Sequence, residues 1–379
     1  MIRGRPLLSL RTLCIVLVSS TCGLFGIQDP CVILGPPMRN NGEVQFTLKG
    51  QFGVTYVIES STNLQNWDAV STVVSTNNYG TPVLITVPES TQAGFLRARR
   101  GPAPMFSAAL TAWSNISFLG NSSWVDSYDS MDPNYSTNGQ YDHLKRKATG
   151  DVKFELGLIE IDNAKINGKI RTGPNGGYIM GTNGFVGDLN WTGPGVQPGW
   201  YAQDFQFCFP DIELPISSFI PPVSGPPGGT NLYLMGSGDY IIDGKLSTKN
   251  KDNIEVIGNV RLYITGDVLM QGQSTITIAE GASLDIYVAG GSAVFTSVNT
   301  TGNANTFRYF GLPTNTNVLW AGNATYVGCV YAPQATVICG GGGSSIYDFQ
   351  GAIVAKSLGF NGHFKIHFDE GLLRGGPMR

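Results

Sequence analysis

"YVGCVYAPQATVICGG" (residues 326–341) aligns with "FQGAIVAKSLGFNGHF" (residues 349–364). At an offset of 23 residues, Gly328 falls on Gly351, Val330 on Ile353 and Ala332 on Ala355. An earlier pair behaves alike: "LYITGDV", starting at Leu262, stands 24 residues before "IYVAGGS", starting at Ile286. Short β-prone runs with Gly or Asn corners, returning every 22–24 residues, predict a parallel β-solenoid. One coil cannot bury its own apolar face, so the pattern has to recur. The apolar positions then form ladders in a continuous core, with small residues at the corners.

Composition agrees. The chain has 379 residues, 50 of them Gly, and only 13% are charged. Many turns and few helix formers point to an all-β protein. The net charge of -3, with no basic patch interleaved with aromatics, argues against a nucleic-acid partner. "HLKRK" (143–147) reads as a solvated basic face. At the N-terminus, Arg3, Arg5 and Arg11 precede the apolar run "LCIVLV" (13–18) and the small residues "SSTCG". Residues 1–27 therefore read as an export signal, in preference to a retained anchor or a lipid attachment at Cys22. No later run could span a bilayer as a helix. The expected location is secreted or envelope-associated. Cys31, Cys208, Cys329 and Cys339 remain after the signal, either paired in one of three ways or as buried free thiols.

Within 40–100, short alternating runs such as "EVQFTLKG", "TYVIESS" and "PVLITVP" predict a small antiparallel β-sandwich. Trp67 reads as one of its core residues. Residues 101–113 read as a linker, with "RRGPAPM" too rich in Pro and Gly to pair and "FSAALTAW" (106–113) able to form a turn or two of helix. The solenoid occupies 114–372. A Pro-rich excursion at 210–231 crosses from its first coils to the main stack.

Two resemblances add to this reading. "YVIESSTNLQNWDAVSTVV" followed by "GFLRAR" resembles a short immunoglobulin- or fibronectin-like module of large secreted bacterial proteins, carried by Ser61, Thr62, Asn63, Leu64, Trp67, Phe95, Arg97 and Arg99. It implies an accessory module without catalysis. Residues 120–372 resemble a largely uncharacterised solenoid domain of bacterial surface and pilus-associated proteins. "WVDSYDS" (124–130), "NAKINGKIRTGPNGG" (163–177), "GCVYAP" (328–333), "GAIVAKSLGFNG" (351–362) and "IHFDEGL" (366–372) carry that likeness. It implies an extracellular structural role. It does not extend to a pilin-like cleavage motif.

Three constellations could carry chemistry. Asp126, Asp129 and Asp132 lie three apart in "DSYDSMDPNYST", without the alternation, glycine or final glutamate of an EF-hand. They read first as turn-forming aspartates and second as oxygen ligands for calcium, the one cofactor considered. Tyr128 and Tyr135 would cover the end of the core. Asp243 and Asp267, 24 apart and both beside glycine, are the best candidates for a catalytic carboxylate pair on adjacent coils, with corner turns as the plainer reading. In "HFKIHFDE", His363, Lys365, His367 and Asp369 share one face and Phe364, Ile366 and Phe368 the other. The histidine face is expected to meet solvent. No nucleophile elbow or phosphate loop is present.

The sequence thus predicts a secreted, non-enzymatic surface or matrix protein for structure or adhesion. Its expected partner is a cell-surface or matrix polymer, such as a polysaccharide. The alternative is a carbohydrate-binding or polysaccharide-cleaving β-helix.

Overall fold

The computed structural model describes residues 14–15, 33–34, 36, 38–40, 43–49, 55–74, 83–88, 95–100, 105–119, 123–205, 209, 211–215, 218–225, 231–321, 325–340, 346–361 and 363–374. The protein is all-β, with small antiparallel sheets followed by a parallel β-solenoid of about nine turns. It divides into two units, 1–103 and 104–379.

In the first unit, strand Glu43–Lys49 pairs antiparallel with Val83–Pro88, and Thr55–Ser61 pairs antiparallel with Asp68–Val74 and Phe95–Arg100. Val44, Phe46, Leu48, Tyr56, Ile58, Ile85, Val87 and Leu96 form its core. Trp67 is not among them. It lies half-buried at a turn, where its indole N–H donates to the Leu64 carbonyl at 3.1 Å and the Arg97 guanidinium covers its ring at 4.1 Å. The turn explains the "STNLQNW" motif. Ser61 Oγ accepts from Leu64 N–H at 2.8 Å and Asn63 Oδ1 accepts from Gln65 and Asn66, while Leu64 takes a left-handed φ of 63°.

In the second unit each coil supplies three strands, and equivalent strands pair in parallel. The repeat read from the sequence is the register as far as Ala332, beyond which Thr336 pairs with Ser357 at an offset of 21. Gly328 pairs with Gly351, Val330 with Ile353 and Ala332 with Ala355. Leu262 pairs with Ile286. One inward ladder runs Tyr240, Leu262, Ile286, Tyr309, Val330, Ile353, Leu110, Val152, Ile170, every member buried. The glycine corner is required. A Cβ on Gly351, whose φ is +146°, would stand 1.8 Å from the Gly328 carbonyl oxygen of the neighbouring coil.

That ladder does not follow chain order. The C-terminal coil, Ile346–Asn361 with His363–Asp369, pairs with the N-terminal coil, Leu110–Ala112, Ile116–Phe118 and Trp124–Tyr128. The solenoid therefore begins in the middle of its own stack and winds outward through Val152–Phe154 and Ile170–Thr172 to Tyr201–Ala202. It resumes at the opposite end with Gly238–Ile242 and winds back until its last coil meets its first. "FSAALTAW" accordingly forms strand Leu110–Ala112 rather than helix, because it has strands on both sides to pair with.

The 210–231 excursion thus joins the two ends of the whole stack. Between Tyr201–Ala202 and Gly238–Ile242 lie nine coil steps along one face, about 43 Å at 4.8 Å each. From Ala202 to Ile220, extended backbone reaches about 59 Å, whereas a helix of that length would reach only about 27 Å. Proline holds such a segment extended. The segment keeps close to the coils. Gln334 donates to Asp211 Oδ1 at 2.9 Å, the rings of Phe219 and Tyr263 lie 5.5 Å apart, and Ile220 bridges to Tyr240. Phe209, Ile212 and Leu214 pack against the core. An outward column, Tyr287, Phe310 and Tyr331, is buried although it faces away from the coil interior, with Phe106 set edge-on to Tyr331 at 6.3 Å. On the same face, Asp239, Arg261, Asp285 and Arg308 alternate in charge through register, with two-pronged pairs Arg261–Asp239 and Arg308–Asp285.

Cys329 and Cys339 are buried free thiols. Cys31 and Cys208 lie outside the described residues.

Candidate functional site

Where the last coil meets the first, a buried polar cluster forms. Trp124–Tyr128 lies against His363–Asp369 with Asp126 opposite His367. Val125, Ile366 and Phe368 point into the core as alternation requires. Asp126 and His367 point away from it, yet are 0% and 1% exposed. The reason is the segment 129–149, which leaves the end of Trp124–Tyr128 and folds back over this face. Tyr141 stacks on the His367 imidazole with ring centroids 3.5 Å apart. Gln140 reaches the Gly302 carbonyl at 2.7 Å, and Tyr141 N–H donates to Gln350 Oε1.

Asp126 is the hub. Its Oδ1 lies 2.5 Å from His367 Nδ1 and its Oδ2 accepts the Tyr141 hydroxyl at 2.7 Å. Arg146 Nε stands 4.0 Å from Oδ2. His367 Nε2 faces Asp348 Oδ1 at 3.3 Å. Burial alone would strip the proton from His367, but the hydrogen bonds to Asp126 and Asp348 outweigh it and hold the imidazole pKa above its ordinary value. Tyr141 is pushed up, first by burial and then by the Asp126 charge, and stays a hydroxyl donor.

A second group of ties surrounds the hub. Arg374 grips both carboxylate oxygens of Asp129, whose Oδ1 also accepts from Met131 N–H. Burial would raise the Asp129 pKa, but the Arg374 bond and Met131 N–H outweigh it and hold it low. Asp369 Oδ1 accepts from Ser130 N–H at 3.0 Å and Gly371 N–H at 2.9 Å, and burial raises its pKa. Glu370 accepts from Ser127, Thr149 and Lys147. Every tie between 126–149 and 367–374 joins residues more than two hundred positions apart.

The sequence candidates separate. Asp126, Asp129 and Asp132 face three different partners: Asp126 the histidine, Asp129 the arginine and Asp132 the Asn134 N–H at 2.9 Å. Only Asp132 and Asp129 hold turns. Asp126 is a buried ion-pair partner. Among the described residues no three His, Cys, Asp or Glu side chains converge as a metal requires. Tyr128 is buried at the junction, whereas Tyr135 is 39% exposed. Asp243 and Asp267 are both exposed and do not oppose each other. The local repeat is 22 residues, which aligns Ile242 with Ile264 and Leu246 with Val268. Asp243 therefore accepts from the Thr265 hydroxyl at 3.0 Å, and Asp267 accepts from Ser292 N–H at 3.0 Å.

Two expectations are corrected here. The histidine face of the last strand is only partly open to solvent: Lys365 keeps partial exposure, but His367 and Asp369 are buried because the first coil and its following segment lie over them. The side chain of His363 lies outside the described residues. Nor is "HLKRK" simply solvated. Lys145 Nζ donates to the Pro133 and Ser136 carbonyls, Arg146 to the His143 carbonyl, and Lys147 pairs with Glu370. Asp348, Tyr141 and Arg146 carried no separate signal. Their meeting depends on which coil is adjacent to which.

The junction also bounds a family likeness. Residues 229–374 match the family described as "Domain of unknown function (DUF7305)". The match spans the returning half of the solenoid, from strand Asn231–Met235 to Arg374, the residue that grips Asp129. The Asp126 strand and the outgoing coils lie outside it. Comparison with curated proteins and with solved structures finds no match.

Proposed function

We propose that this chain is a secreted or envelope-associated, non-enzymatic protein whose solenoid serves as a structural or adhesive element at the cell surface or in the surrounding matrix. One observation carries the reading. Asp126 and His367, 0% and 1% exposed, are spent on each other and on Tyr141 and Asp348. A general acid or base has to reach the reacting group, and these reach only their partners. The paired-carboxylate alternative is weakened by register, since Asp243 and Asp267 each satisfy a corner turn. The export reading of residues 1–27 and the resemblance to surface-protein solenoids support the proposed location. The test is turnover. Residues 28–379 incubated with a panel of polysaccharides, with and without calcium, should release no new reducing ends and no unsaturated products. Turnover abolished by Asp243→Ala or Asp267→Ala would replace the scaffold with an enzyme.

A further inference from the structure

Beside the buried cluster, on the solvent side, three adjacent coils build a cationic patch on an aromatic plate. Register sets it up: Trp124 pairs with Lys365 on one side and Lys165 on the other. Lys165 Nζ lies 5.8 Å and Lys365 Nζ 6.0 Å from the Trp124 ring centroid. The Arg146 guanidinium adds a third charge at 5.2 Å, and His143 meets the ring edge-on at 5.6 Å. The indole N–H is fixed by Asn167 Oδ1 at 2.9 Å, so the plate is held in place.

The Arg146 charge is offset by Asp126, but the two lysine charges are not explained by the fold. Among the described residues neither lysine has a carboxylate within salt-bridge distance, in a protein that pairs Arg261, Arg308, Lys147 and Arg374. Asp348, which pairs with Lys365 in register, turns its carboxylate to His367 instead. The field is felt next door, where burial and then Arg146 and Lys365 hold the His143 imidazole below its ordinary pKa. Like charges gathered around one ring repel unless an anion joins them.

We propose that Trp124, Lys165, Lys365 and Arg146 form a subsite for an acidic polysaccharide, binding the carboxylate of a uronate residue. The lysines supply point charges to the carboxylate. The indole offers an apolar surface to the C–H face of the sugar ring, and the guanidinium a forked donor to carboxylate or hydroxyl oxygens. A polymer repeats its carboxylate, so weak single contacts multiply along the chain. The inference rests on the proposed matrix role and gives it a ligand.

The experiment measures binding of residues 28–379 to polygalacturonate, with dextran as the neutral control and dextran sulfate as the sulfated one, at low and high salt. The double variant K165A/K365A changes only solvent-facing ends and is checked to melt with the parent. The subsite predicts binding to polygalacturonate, at least tenfold weaker binding by the double variant, loss in high salt and none to dextran. W124F should weaken binding while keeping the fold. No binding to polygalacturonate, equal binding by the double variant, equal binding to dextran, or preference for dextran sulfate would each overturn the proposal. Cleavage of the polymer during the measurement would overturn the scaffold reading and leave the subsite standing.

Discussion

Asp126→Ala removes the hub that joins the two ends of the chain. The carboxylate holds two charge-assisted or buried hydrogen bonds, from His367 and Tyr141, and offsets the Arg146 charge. Without it, a 1%-exposed imidazolium keeps only the 3.3 Å contact to Asp348, and a half-buried phenol loses its acceptor. Removing one partner of a buried ion pair costs about 3–5 kcal/mol. Loss of the imidazole proton moderates this, while the stranded Tyr141 hydroxyl adds about 1–3 kcal/mol. The expected loss is about 3–5 kcal/mol in urea unfolding of the full chain, read by tryptophan fluorescence and circular dichroism. His367→Ala should cost about as much, and the double variant far less than the sum, with a coupling of at least about 1.5 kcal/mol. Asp132→Ala, three positions from Asp129, should cost less than about 1 kcal/mol because it loses only local turn bonds. An Asp126→Ala loss under about 1 kcal/mol, or additive singles, would refute the junction as a source of stability.

Further predictions follow from the same geometry. The raised His367 pKa means that its contribution is full below the unfolded value of about 6.5 and is lost as pH rises through the folded value. The stability difference between the parent and His367→Phe should therefore shrink above pH 6.5, measured by urea unfolding across pH. A difference that grows with pH would contradict the assignment. Gly351→Ala puts a Cβ 1.8 Å from the next coil's carbonyl oxygen and should cost roughly 2–5 kcal/mol or prevent folding. Gly244→Ala, where nothing lies within 4 Å, should cost only the strain of its positive φ, roughly 1–3 kcal/mol. Burial pushes Cys339 up to about 12 and raises Cys329 further, so neither thiol should be alkylated at pH 8 until the protein unfolds. Mass spectrometry of their peptides reads this directly.

The solenoid was legible because its signal is local. A 23-residue offset that aligns Gly328 with Gly351 and Val330 with Ile353 is also the hydrogen-bond register, since each coil stacks on the one before it. The junction was not legible for the opposite reason. Asp126 and His367 stand 241 residues apart, and no periodicity links them. Alternation told truly that Phe364, Ile366 and Phe368 face the core. It could not tell that the other face of that strand would be covered, because the cover comes from the first coil and the segment after it. The same gap misplaced Asp243 and Asp267. Their spacing of 24 matches the coil of Leu262 and Ile286, but the coil they occupy repeats at 22. Trp67 misled for a simpler reason: an aromatic in a strand-rich module usually joins the core, and here it buttresses a surface turn against Arg97.

The central claim is that the chain closes on itself in mid-stack, first coil against last. Ser117 and Gly359 test it, being register partners on outward positions of those two coils. Adjacent strands lie about 4.8 Å apart, within reach of a disulfide, and a Cβ at Gly359 meets nothing nearer than 3.8 Å. In a chain carrying S117C and G359C, with Cys14, Cys22, Cys31 and Cys208 replaced by serine, oxidation should yield an intrachain bond in the monomer. The bond would close a loop of more than two hundred residues and raise the melting temperature. Free thiols at both positions 117 and 359 after oxidation, beside the buried Cys329 and Cys339, or bonds formed only between chains, would mean that the first and last coils do not meet and that the stack follows chain order.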